Sequence, residues 1–254
     1  MDAAPQHREP RSVVFRFYAE LNEFLPAARR AGAFACALDG EVTVRGAIEA
    51  LGVPASAVDL VIVDGEPVVF GHRLRGGERV AAYPVFEALD IGPVARLRPR
   101  PLRVTRFIAD VHLGKLARYL RLLGFDTLYR NDYDDATLVA IARADRRVIL
   151  TRDRQLLRRR AATHGYWLAA TQPREQLGEV IRALDLCSQM APFTRCLRCN
   201  GPLAAVSLAA ICAQLPAAVQ AAGYAFSRCA RCGKVYWPGP HYAPMRALLR
   251  AVAG

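Results

Sequence analysis

Four of the seven cysteines stand in two pairs, Cys196-Leu-Arg-Cys199 and Cys229-Ala-Arg-Cys232, each with a glycine close behind it, Gly201 and Gly233. Nothing else in this 254-residue chain restricts the fold as strongly. A tight turn with free backbone amides lets two thiolates meet one zinc ion, and two such turns complete a closed tetrahedral structural site. The 29 residues between the pairs exceed the common spacing, which predicts an inserted helix over Leu208 to Ala221. Disulfides do not suit a reducing compartment. A redox CxxC would need only one pair, near the start of a βαβ unit. The other cysteines, Cys36, Cys187 and Cys212, are expected to behave as small buried hydrophobes.

Charge is distributed unevenly. Residues 1–98 hold 11 basic and 13 acidic side chains, whereas residues 99–254 hold 24 and 10, so a net +14 sits in the C-terminal part. That is the footprint of a phosphate-backbone binder. A near-complete preference for Arg over Lys explains the choice of cation but not the asymmetry, because only Lys115 and Lys234 are lysines. Four thiolates and a zinc ion subtract about two charges and leave the excess intact. The N-terminus has no apolar segment of the secretory type, and the Ala-rich stretch from Leu203 to Ala222 is interrupted by Pro216. A soluble, cytoplasmic protein without a membrane span is expected.

Residues 1–11 are expected to be a disordered polar tail. Beyond them, Val13-Val14-Phe15-Arg16-Phe17, Glu41 to Val44, Leu60 to Val63 and Arg79 to Pro84 carry strand signals, and Arg45 to Leu51 a short helix ending at Gly52. This pattern predicts an α+β unit of the β-grasp type over 12–92. A Pro/Arg-rich linker, 93–102, marks a domain boundary. Strands at Val104 to Ala109, Thr127 to Tyr129, Arg147 to Thr151 and Gly165 to Ala169 then alternate with helices at Leu113 to Leu123, Asp134 to Ala144, a segment beginning at Gln155, and Pro173 to Leu186. Such alternation implies a parallel sheet covered on both faces over 103–190, with the cysteine unit and a C-terminal helix over 191–254.

Carboxylates fall at the strand ends of this α/β unit. Asp110 follows its first strand, Asp153 follows Val148-Ile149-Leu150 by two residues, and Asp134 and Asp135 open a helix. Ligands of open α/β sheets sit outside the carboxyl ends of the strands. Three such acids brought together would repel one another unless a divalent cation neutralised them, and oxygen-only ligands select Mg²⁺ or Mn²⁺. Each acid also has a plain structural reading: a turn for Asp110, an N-cap for Asp134, a loop or cap for Asp153. Lys115 and Arg152 lie within reach of a phosphate bound there, while Arg121, in phase with Lys115 and Arg118, is expected on a solvated face. Arg195, Arg198, Arg228, Arg231 and Lys234 with Tyr236, Trp237 and His241 offer a basic, aromatic surface suited to stacking single-stranded bases. For Tyr236 and Trp237, packing against a small zinc core is an equal alternative.

Phe107-Ile108-Ala109-Asp110, the run Leu113 to Thr127, Leu150-Thr151-Arg152-Asp153-Arg154, Arg195 to Asn200 and Cys229 to Gly239 strongly resemble the Mut7-C RNase family, over about Thr105 to Ala243. The resemblance implies a PIN-like nuclease fold fused to a zinc ribbon, with Mg²⁺-dependent RNA cleavage. It implies metal ligation by Asp110, by Asp153 and by Asp135 or Asp134. Many PIN nucleases carry one more acid shortly after the Asp153 position; Arg154, Gln155, Leu156 and Leu157 supply none here, which implies fewer ligands and one tightly held metal. Residues 12–84 resemble the ubiquitin-like, sulfur-carrier-like module often fused ahead of this family. Carriers of that type need a free C-terminal Gly-Gly, but Gly76-Gly77 is internal, in what is expected to be a hairpin turn, so a carrier role is not expected. Docking a protein partner, covering the active-site edge and contacting RNA stay open, the last disfavoured by the −2 charge of residues 1–98.

Taken together, these features predict a ribonuclease that hydrolyses phosphodiester bonds of single-stranded RNA. Asp110, Asp135 and Asp153 would hold the catalytic ion, Lys115 and Arg152 would stabilise developing charge, and Cys196, Cys199, Cys229 and Cys232 would hold zinc. A non-catalytic RNA-binding adaptor built on the zinc ribbon and the basic surface is the alternative.

Overall fold

The computed structural model describes residues 11–30, 32–84, 105–159 and 161–253; the linker at 93–102 lies outside them. The chain divides into two compact units, Met1–Arg103 with Asp153–Trp167, and Val104–Arg152 with Leu168–Gly254.

The first unit begins with β1 (Arg11–Phe17), whose alternation puts Val13, Phe15 and Phe17 in the core. β2 (Ala33–Leu38) pairs antiparallel to it, with Phe15 opposite Phe34. After β3 (Val42–Thr43) comes α1 (Val44–Ala50), capped by the Thr43 side chain, which accepts the Gly46 N–H, and burying Val44, Ala47 and Ile48. β4 (Val58–Val63), β5 (Glu66–Pro67), β6 (Arg73–Leu74) and β7 (Arg79–Pro84) follow. The five-stranded sheet runs β2-β1-β7-β4-β5, with a parallel β1/β7 pair at its centre and antiparallel neighbours, the mixed sheet expected of a β-grasp. Gly76-Gly77 is not a hairpin turn. It links β6, which pairs with β3, to β7 in the large sheet, with both glycines at positive φ and their amides held by Glu78 and the Ser12 carbonyl.

The second unit is built on β8 (Arg106–Ala109), α2 (Gly114–Leu122), β9 (Asp126–Leu128), α3 (Asp135–Asp145) and β10 (Val148–Thr151). The three strands lie in the order β10-β8-β9, all parallel. Their residues are apolar and buried along almost the whole length of β8 and β10, as in a sheet covered on both faces. Leu116 and Leu120 of α2 are fully buried, which bears out the leucine stripe.

The chain then passes through α4 (Arg154–Arg158) and β11 (Gly165–Trp167), which belong to the first unit. There the Ser56 hydroxyl donates to the Leu157 carbonyl at 2.6 Å, Arg158 donates to the Gly52 carbonyl, and the Trp167 ring lies 6.0 Å from that of Phe24.

Back in the second unit, α5 (Pro173–Ala183) opens with Pro at N1, a position that has no helical N–H to lose. β12 (Leu203–Val206), α6 (Ala217–Ala221), β13 (Phe226–Cys229), β14 (Val235–Tyr236) and α7 (Tyr242–Ala253) complete it. β12, β13 and β14 form an antiparallel sheet that carries the second cysteine pair. The insert between the pairs holds far less helix than expected. Two 3₁₀ turns occupy Leu208–Ala210 and Cys212–Gln214, and Pro216 delays α6 until Ala217. Ile211, Leu215 and Phe226 form a small core there, packed by Trp237 and Val235. Among the described residues, no helix is long and apolar enough to cross a membrane.

Candidate functional site

Asp110 ends β8 and is only 7% exposed. Its amide donates to the Leu150 carbonyl of β10, one carboxylate oxygen accepts the Val111 N–H at 2.6 Å, and the other accepts the Thr151 hydroxyl at 2.7 Å. The chain leaves β8 toward β9, on the side away from β10, so this carboxylate stands at a switch in strand order, where α/β sheets receive ligands. One hydrogen bond on each oxygen leaves a lone pair on each for a cation or a water.

The other acids hold helix starts. Asp134 caps α3 by accepting the Thr137 N–H at 2.7 Å, and Asp135 is the first residue of that helix. Asp153, in the first unit, caps α4 by accepting the Gln155 N–H at 2.7 Å. Lys115, the second residue of α2, and Arg152, just past β10, are exposed. Among the described residues, one group of three or more Cys, His, Asp or Glu side chains is drawn together closely enough to share an ion, and it is Cys196, Cys199, Cys229 and Cys232.

All four sulfurs lie within 4.8 Å of one another, with Cys196–Cys232 at 3.6 Å and Cys199–Cys229 at 3.4 Å. A tetrahedral zinc with bonds of about 2.3 Å requires S···S edges of about 3.8 Å, so the cluster matches a structural zinc site in both geometry and donor chemistry. The thiols bear the same mark. Burial raises the Cys196 thiol, but donation from the Tyr236 hydroxyl and from the backbone of Cys199 and Arg198 outweighs it and brings it down to about 6. Burial and the neighbouring thiols push Cys199 up to about 12. Four thiols this close cannot all ionise without a cation to share.

Both knuckles turn through a left-handed residue, which is Gly233 in the second but Asn200, not a glycine, in the first. Gly201 serves a different need, because a Cβ there would lie 2.8 Å from the Arg231 Cβ and 2.9 Å from the Cys229 sulfur. Asn200 accepts the Thr127 N–H at 3.0 Å and donates to Asp126 at 2.7 Å, tying the first knuckle to β9. Arg121 reinforces that tie. Far from lying on a solvated face it is 4% exposed, and it donates to the carbonyls of Thr127, Leu197 and Arg198. Burial lowers its pKa from the usual guanidinium value, opposed by the nearby Cys196, Cys199 and Asp126.

Asp126 carries no weight in the sequence reading, yet it anchors this region. Arg147 donates to it at 2.7 Å and Arg195 stands 3.8 Å away. Burial pushes its carboxyl up, but bonds from Arg147 and Asn200 and the charges of Arg147 and Arg195 hold it below the usual carboxylate range. Its one sequence signal is an acid at the mouth of a short apolar strand.

Arg195 is thus an internal brace, bonding the Gly124 and Asn200 carbonyls as well. Tyr236 contacts Cys196 and Trp237 packs on the insert core, which selects the packing alternative for both. Cys187 and Cys212 are exposed and Cys36 is half-buried, so none of the three is the fully buried hydrophobe expected.

Two family models match this chain: Mut7-C ubiquitin over residues 11–90, and Mut7-C RNAse domain over residues 105–249. Two solved structures, both of small archaeal modifier protein 1 from Haloferax volcanii, are similar at 22% and 24% identity. Each match covers 29% of this chain and 97% and 94% of the respective neighbour, with TM-scores of 0.24. No curated protein matches the chain. The RNAse model alone spans more than half of the sequence, and the chain belongs to the Mut7-C RNAse domain family, with a Mut7-C ubiquitin unit ahead of it.

Proposed function

We propose that this protein is a metal-dependent ribonuclease acting on single-stranded RNA, with a PIN-like nuclease domain over 103–190 and a zinc ribbon over 191–254. Membership of the family supports a nuclease or RNA-related role. The observation that carries the finer reading is Asp110, a buried carboxylate at the end of the central parallel strand, braced by Thr151 with lone pairs to spare. Asp110, with Asp135 or with Asp134 in its place, would hold Mg²⁺ or Mn²⁺ from within the second unit. Such an ion takes one or two carboxylates, retains waters and accepts substrate phosphate oxygens, so it does not require all the acids at once. When bound, it would supply an activated water and charge neutralisation at the phosphate.

The chain's own groups do the rest. Thr151 keeps one Asp110 oxygen aimed and desolvated, the Val111 amide holds the other, and Lys115 and Arg152 place positive charge where the phosphodiester becomes more negative. The zinc knuckles position the strand, and the ubiquitin-like unit docks a protein partner.

Asp110→Asn tests this. Cleavage of labelled single-stranded RNA in Mn²⁺ or Mg²⁺ should be lost while the melting temperature holds or rises, since one buried charge is removed. Unchanged turnover would remove Asp110 from the mechanism. RNA binding that ignores divalent ions and yields no product would identify an adaptor in place of an enzyme.

A further inference from the structure

Among the described residues, two cavities in the second unit differ in electrostatic character. The larger, about 490 Å³, is lined by Arg147, Arg195 and Arg231, and the first two of these already face Asp126 and Asp145. The other, about 290 Å³, lies among α2, α5, α7 and the first knuckle and has no acid in its lining. Lys115 and Arg118 from α2 and Arg174 from α5 line it, all exposed and none in an ion pair among the described residues. Tyr119 forms an aromatic wall, and Leu197, from between the zinc-ligand candidates, and Met245 of α7 give it an apolar floor.

Three unneutralised cations over an aromatic and apolar surface make the combination that holds single-stranded nucleic acid, with phosphates on the cations and a base on the ring. A merely solvated basic face would lack the concavity and the apolar floor. We infer that this groove is the path of the RNA strand: Arg118 and Arg174 bind successive phosphates, Tyr119 stacks a base, and Lys115, in the first turn of α2 and five residues after Asp110, lies at the end nearest that carboxylate. The inference rests on the ribonuclease reading and adds the binding surface that reading lacks.

The test measures binding of a short fluorescent single-stranded RNA to the full chain by anisotropy, across a salt series without added divalent ions. Arg118→Ala with Arg174→Ala should weaken binding about tenfold or more at physiological salt. It should also flatten the slope of log affinity against log salt by about 1.4, roughly 0.7 for each lost phosphate contact. Arg106→Ala with Arg143→Ala removes the same charge from exposed positions of the same unit and should leave the slope unchanged. Tyr119→Leu should lower affinity roughly tenfold with no change in slope, because stacking releases no counterions.

A groove pair that behaves like the control pair overturns the groove, as does equal binding of duplex RNA. If the protein binds and cleaves RNA while the groove pair keeps its full slope, only the groove fails. If the unaltered chain binds no RNA, the ribonuclease reading fails with it. Thermal melting of each variant within a few degrees of the parent confirms that exposed side chains, and not the fold, were removed.

Discussion

Replacing Asn200 with glycine removes two hydrogen bonds at once and leaves the backbone unstrained, because the residue sits at φ +66. One of them satisfies the Thr127 N–H, in a residue with 0% exposure, and stranding that donor costs about 1–3 kcal/mol. The other is charge-assisted, to Asp126, and is worth about 1.5–3 kcal/mol. Asp126 keeps Arg147, so the low ends apply and the loss comes to about 2.5 kcal/mol. For a unit of this size that is a fall of roughly 10 °C in the melting temperature.

Asn200→Ala loses the same bonds and must also hold a Cβ in the left-handed region, for about a further 1 kcal/mol. Glycine should therefore be the milder substitution, the reverse of the order in a helix. Urea denaturation of the zinc-loaded protein with fixed metal reads both values, and chelator competition should show weaker zinc binding in both variants, since the knuckle and β9 are coupled. Alanine more stable than glycine, or either within about 0.5 kcal/mol of the parent, would refute the tie between knuckle and strand.

The Asp126 carboxyl titrates below its ordinary range in the folded protein, so its contribution is present above the unfolded pKa of about 4 and is lost as pH falls through the folded value. Asp126→Asn should be less stable at neutral pH, and the gap in urea midpoint should narrow below about pH 4; a gap that stays constant removes Asp126 as the acid-sensitive group. Metal analysis should find a single zinc ion per chain, lost in Cys196→Ser, and chelation should abolish the cooperative transition of the second unit; full cooperativity in a zinc-free sample would show that the cysteines do not hold the fold.

Strong local signals were legible in the sequence. The Leu116/Leu120 stripe, the apolar strands β8 and β10, the placement of Asp110 at a strand end and the pairing of the two CxxC turns all follow from periodicity and spacing. The failures have physical causes. Lys115, Arg118 and Arg121 recur every three residues, but a helix turns about 100° per residue, so the third lies about 120° around from the first and faces the interior. There the backbone carbonyls of Thr127 in β9 and of Leu197 and Arg198 in the knuckle accept its N–H groups. β2 alternates alanine with Phe34, Cys36 and Leu38, and its small residues hide a period of two. Cys187 and Cys212 fall in surface 3₁₀ turns, where position overrides the preference of the thiol for burial. The bonds of Asp126 and Asn200 join residues 74 positions apart, and no local pattern records such a contact.

The excursion of Asp153–Trp167 into the first unit makes that unit discontinuous in the chain. A fragment starting after the linker would carry this segment without Ser56, Gly52 and Phe24, leaving Leu156 and Leu157 stripped of their surroundings. Severing the polypeptide there would not yield two self-sufficient halves, and an inactive C-terminal fragment would testify to a missing scaffold before it testified to missing chemistry.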